Sequence, residues 1–419
     1  MTKKNVKFKL FIPIIISFSL LIPFSYLKDF DVNLNLPPNV SQVIDIEIDG
    51  NAQLEAFCAS NQSDGNSWAT AFLIQNYTFE SGSRAIWILH TDKYLIIRNC
   101  SFQSYTDGIL LQLCDNIKII NCSFYNCDYS IDLSSTTNIE VNNCSINGGE
   151  IGIDIFLSRR CFLINCCIKY TTNHAILLED SSNIEVIDNI INMCYNSMIM
   201  VWLSSENDLR KNIIFNCQID PSMITYPYYA YGYSFPITIY GFSDRGNNNT
   251  ISNSIIQYNN MTAIYINSKN NSILDNTITL NNGDGIHLSH DSPDFGLHAK
   301  ASSNRIFNNN IISNNGNGIL IDGGYFLEDG PSGNEIFYNN ISHNNESGIV
   351  FKYPSNHNKA YNNTIYSNKF YCIEDTGYKN IYYNNGANCT IFYDPYIVDN
   401  PMNLFYVFII CFVIVFIFV

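Results

Sequence analysis

The stretch NIKIINCSFYNCDYSIDLSSTTNIEVNNCSINGGEIGIDIF, residues 116–156, contains the same phrase twice. Ile117, Ile119, Cys122 and Phe124 of the first copy answer Ile139, Val141, Cys144 and Ile146 of the second, 22 residues later. The phrase extends in both directions. Leu95/Ile97/Cys100/Phe102 precedes it; Cys161/Leu163/Cys166/Ile168 and Ile184/Val186/Asn189/Ile191 follow, and the series runs on to Ala360/Asn363/Ile365. Successive copies lie 22 to 24 residues apart, except where intervals of 42, 33 and 30 residues mark insertions. A second column keeps step with the first, from Gly108-Ile109, Ser130-Ile131 and Gly152-Ile153 through to Cys372-Ile373.

Within each copy apolar residues alternate with polar ones, which is the period of a strand, and helical spacing is absent. Two phase-locked columns about 22 residues apart describe short strands that turn and stack on their equivalents one repeat later. Leucine-rich repeats have a similar length but need a leucine signature that this chain lacks. Asparagine suits the tight corners, because it tolerates the left-handed backbone region and bonds to nearby peptide groups. The pattern predicts an all-β, single-stranded right-handed parallel β-helix over residues 70–392. About 13 coils at ~4.8 Å each make a rod on the order of 60 Å long.

Composition agrees and excludes other classes. Asparagine supplies 60 of 419 residues while charged residues are only 14%, so polarity is carried by amides. The formal charge of -15, with no basic stripe after residue 9, offers nothing to a phosphate backbone and argues against nucleic acid as a partner. Hydrophobic content of 46% argues against disorder. Lys3, Lys4, Lys7 and Lys9 lead into the apolar run Leu10–Leu27, so residues 1–27 read as a signal peptide or N-terminal anchor helix. Residues 28–69 form a linker and N-terminal cap. Residues 393–401 are a short linker, and residues 402–419 hold the uncharged run NLFYVFIICFVIVFIFV, which predicts a transmembrane helix about 25 Å long. These ends predict a membrane-anchored chain at the cell surface or outside the cell. Thirteen Asn-x-Ser/Thr sequons fit a glycoprotein.

The repeat over residues 70–392, such as IEVIDNIINMCYNSMI from Ile184 to Ile199, resembles the parallel β-helix proteins grouped as carbohydrate-binding and sugar-hydrolysis domains, NosD-like proteins among them. The entry segment Ile48–Phe79 also looks like that of exported β-helix proteins and reads as a cap on the first coil. The resemblance implies a saccharide or metal-delivery role. It carries over no catalytic residue.

Three groups of residues could carry chemistry. Asp132 and Asp154 fall on neighbouring coils and point outward, with carboxyls ~5 Å apart, which suits the acid and nucleophile of a retaining glycosidase. The first insertion, Gln218–Phe235, presents Tyr226, Tyr228, Tyr229, Tyr231, Tyr233 and Phe235 as a platform on which sugar rings could stack. The insertions Ser289–Ser303 and Asp322–Gly333 gather His287, His290, Asp291, Asp294, His298, Asp322, Glu328 and Asp329. Of these, His287, Asp291 and Asp322 are candidate acid/base residues, while His290, Asp294, His298, Glu328 and Asp329 are candidate ligands for calcium.

Cys100, Cys122, Cys144 and Cys166 should stack as one column, either as an interior ladder or as soft ligands for copper. Cys194 and Cys217 are the expected disulfide pair. The primary reading is a membrane-tethered, extracellular β-helix that binds polysaccharide. Its alternatives are a polysaccharide lyase or glycoside hydrolase, a structural surface protein, and a NosD-like copper-associated protein.

Overall fold

A computed structural model describes residues 41–42, 45–59, 63–217, 235–240, 246–290, 300–323, 330–386 and 390–393. Three parallel sheets run its length. Sheet A has 13 strands, from Ser41–Gln42 to Thr364–Tyr366; sheet B has 14, from Ile46–Asp49 to Ile391–Tyr393; sheet C has 13, from Phe72–Gln75 to Ile381–Tyr383. The chain passes through C, A and B in turn, and each strand pairs with its equivalent one coil later. Phe124, for example, pairs with Phe102 and Ile146, and Ile139 pairs with Ile117. The 22-residue phrase of the sequence is therefore one coil.

The corners explain the asparagines. One residue in the left-handed region turns sheet C into sheet A, at Asn99, Asn121, Asn143 and Asn165 with φ between 53° and 56°. The next residue points inward, and in the first coils it is cysteine. Cys122, Cys144 and Cys166 are buried, each Sγ donating to a backbone carbonyl of the preceding coil at 3.7 to 3.9 Å. From Asn189 onward the column changes to amides. Asn309 then donates its backbone N–H and Nδ2 to Asn339 Oδ1 at 2.9 and 3.0 Å, and Nδ2 also reaches Ile273 O at 2.8 Å. The other two corners carry their own amide columns, such as Asn281–Asn314–Asn344 and Asn271–Asn304–Asn334. A buried corner has peptide groups that no strand pairs, and these side chains satisfy them.

Aliphatic side chains from the three inner faces fill the rod in one continuous core. Its N-terminal end is closed by α1, Asn51–Phe57, whose Leu54 is fully buried.

Two expectations are corrected. The predicted N-terminal signal or anchor helix and C-terminal transmembrane helix lie outside the described residues, and among the described residues no helix is long and apolar enough to cross a membrane. α1, with seven residues, is ~10 Å long, where a span needs about 20 residues. The membrane partner expected through the C-terminal helix falls with it. Cys194 and Cys217 are both free thiols, and Cys217 Sγ donates to Asn196 O at 2.9 Å in place of a disulfide.

Candidate functional site

Sheet B turns every second residue outward, so its outer face is a grid whose rows are coils. Register places Arg84, Asp107, Tyr129 and Ile151 in one column and Trp87, Leu110, Asp132, Asp154, Leu177 and Met200 in the next. A third column holds Gln112, Ser134, Phe156, Glu179 and Trp202. Asp132 and Asp154 thus face outward as direct neighbours on strands ~4.8 Å apart, as the sequence spacing predicted.

Their surroundings are apolar. Leu110 and Leu177 flank the pair along the axis and are nearly inaccessible; Ile151, Leu177 and Met200 cluster with Tyr129 and Trp202 packed against them. Burial pushes the Asp132 carboxyl up to about 6, helped by Asp107 and opposed by Arg84. Burial pushes Asp154 up to about 7, with Asp132 and Glu179 adding to the rise. Oδ1 of Asp154 is buried and accepts no hydrogen bond. Tyr129 is raised too, first by burial and then by Glu150, Asp154, Asp132 and Asp107. Arg84 is held by Asp107 at 3.3 Å and lies 4.3 Å from the Trp87 ring centroid. Near neutral pH the pair can hold a proton on one carboxyl and a charge on the other, beside an aromatic wall. That equips it to protonate a leaving oxygen and stabilise or attack the carbon left behind.

The other predicted residues are dispersed. His287 lies on the same face five strands further on, its Nδ1 3.9 Å from Asp284 Oδ2 and its ring edge-on to Tyr265 at 5.4 Å. Asp284 is fixed by the Asn317 backbone N–H at 2.7 Å. Asp322 faces Lys352 Nζ at 3.5 Å, and His290 is buried, its backbone N–H donating to Asp322 O at 3.2 Å. Asp291, Asp294, His298, Glu328 and Asp329 lie outside the described residues, as do Tyr226, Tyr228, Tyr229, Tyr231 and Tyr233. Phe235 stacks on Tyr265 at 4.7 Å and leans on the core. Between the two groups Met200, Thr238 and Tyr265 are covered, so the outer face is not one open track from Asp154 to His287.

Among the described residues no three His, Cys, Asp or Glu side chains converge as metal ligands. The cysteine column runs along the axis as a line of buried thiols and does not fit a copper centre, which needs converging thiolates. Burial raises Cys122, Cys144 and Cys166 far above the usual thiol range, with the sulfur above and below each one adding to the effect.

Sequence reading missed Asp107, Tyr129, Phe156, Glu179, Trp87 and Trp202. The signal was present. Offsets of two or three residues from the aspartates, repeated every 22 or 23 residues, place each of them in an outward column.

Residues 84–243 and 237–391 match the family described as the right handed beta helix region, and the chain belongs to that family. No curated protein matches it. Solved structures of similar architecture include the catalytic domain of a GH87 alpha-1,3-glucanase, at 12% identity over 87% of this chain and 70% of that one, TM-score 0.48. A PL6 family polysaccharide lyase from Pseudopedobacter saltans is 13% identical over 73% and 79%, TM-score 0.43. The A-module of a mannuronan C-5 epimerase from Azotobacter vinelandii is 10% identical over 81% and 96%, TM-score 0.44. At this distance none of them assigns an activity to this chain.

Proposed function

We propose that this β-helix acts on a glycan, and that it does so as a retaining glycoside hydrolase with Asp154 as acid and Asp132 as nucleophile. The observation that carries the reading is the in-register pairing of two outward carboxyls on adjacent strands, in an apolar setting that keeps one protonated. A separation of about 5 Å is that of a retaining pair; an inverting pair stands further apart to admit water.

In the first step the Asp154 proton passes to the glycosidic oxygen, and the Asp132 carboxylate bonds to the anomeric carbon as the carbon–oxygen bond breaks. In the second, Asp154 takes a proton from water, whose oxygen replaces Asp132. Tyr129, Phe156 and Trp87 flank the pair and could support sugar rings. The reading replaces binding without catalysis, because a mere binding face has no need of carboxyls placed where both resist ionisation. Action outside the cell is part of the proposal, supported by the lysine-led apolar segment in residues 1–27.

The test is reducing-end release from a polysaccharide panel, with the product anomer followed by NMR. Asp132→Asn and Asp154→Asn should each lower kcat by about 10²- to 10⁴-fold. Turnover that survives both substitutions, or product of inverted configuration, would remove the pair from the mechanism.

A further inference from the structure

We propose that the face around Asp132 and Asp154 takes an uncharged glycan and rejects polymers that carry a carboxylate on every sugar. This rests on the reading of that pair as the reacting groups. The face gathers Asp107, Asp132, Asp154 and Glu179 in its columns, with Glu150 close enough to act on Tyr129. Arg84 is its one cation in register, and Asp107 already engages that guanidinium at 3.3 Å. Other basic residues nearby turn elsewhere: Lys118 pairs with Glu140 at 2.7 Å in sheet C, and the Arg159 backbone bridges Thr137 and Ser182 on that same side.

Hydrogen bonding points the same way. Asp154 Oδ1 is a buried acceptor without a donor. A sugar hydroxyl can supply one, whereas a uronate sets more acceptors against it. A carboxylate arriving in this apolar setting would also meet an ionised Asp132 with little water to screen the repulsion. What remains on the face suits neutral rings: Trp87, Tyr129, Phe156 and Trp202 offer apolar surface, and Phe156 is well exposed. The net charge of -15 extends the same sign beyond the site, so a polyanion is slowed before contact.

The experiment compares the full chain on neutral glucans and mannans with alginate and polygalacturonate, in about 10 mM and about 300 mM salt, where screening lengths differ several-fold. At low salt kcat/KM on uronates should be at least tenfold below that on the best neutral polymer, and added salt should narrow the gap. The double variant Glu150→Gln/Glu179→Gln should narrow it at low salt. Equal or faster turnover of uronates at low salt would overturn the proposal. Absence of turnover on every polymer would count against the catalytic pair instead. Affinity electrophoresis on the same polymers then decides selectivity: retardation by neutral gels alone supports the proposal, and equal or stronger retardation by uronates refutes it.

Discussion

A carboxyl that resists ionisation has two measurable consequences. Catalysis by the pair needs Asp132 charged and Asp154 protonated, so kcat/KM should peak between pH about 6 and about 7 and fall on both sides. An optimum near pH 4 would contradict these assignments. Stability follows from the same shift. Asp154 binds its proton more tightly folded than unfolded, so its favourable contribution is complete below about pH 4 and is lost as pH rises through about 7. Asp154→Asn should therefore be more stable than the parent at pH 8, by about 1 to 2 kcal/mol after allowance for partial exposure, and no more stable at pH 4. Urea denaturation at the two pH values checks the sign. The sequence allowed this pair to be located, since 22 residues separate two outward aspartates. It did not reveal their environment, because Leu110, Leu177 and Met200 are unremarkable apolar residues until register surrounds the carboxyls with them.

The coil is an element of three strands and three corners, and the corners are where the sequence is most informative. Asn121 turns, Cys122 points inward and Ser123 opens the next strand, so the corner spells Asn-Cys-Ser. The sequons at Asn99, Asn121 and Asn143 thus arise from the geometry of the coil, and their number says little about glycosylation. The change from cysteine to asparagine inside the same column was visible in the sequence. Its bonding was not, since an amide that serves both neighbouring coils looks identical on paper to one facing water. Asn339 accepts from both the backbone N–H and Nδ2 of Asn309 and donates to Ile306 O at 2.9 Å. Asn339→Ala would leave buried donors unmatched and should cost about 2 to 4 kcal/mol, against about 0.5 or less for the exposed corner substitution Asn384→Ser. Similar losses for both would mean that the ladder is ornamental. The insertions were legible only as breaks in period, because nothing in a solenoid's repeat dictates how a loop off its edge must lie.

Across the molecule each coil contacts its two neighbours alone, so total stability approximates a sum over coils and interfaces. The ends differ. α1 buries Leu54 against the first coils, while among the described residues at the other end Ile381, Tyr383, Ile391 and Tyr393 remain 45 to 53% exposed. Hydrogen exchange should therefore open Ile381–Tyr383 and Ile391–Tyr393 well before Ile117 or Ile139, whose strands have partners on both sides. Simultaneous exchange throughout would show that the rod melts as one unit.

The latch at one end also gives the rod a mechanical polarity. A pull applied between its termini peels strands off a sheet edge one at a time, because a solenoid's outermost coil has a neighbour on one side only. With Leu54 clamping the first coils, rupture should begin at the last described coil and travel toward α1. A force trace would then show a train of small steps, each releasing about 22 residues of slack.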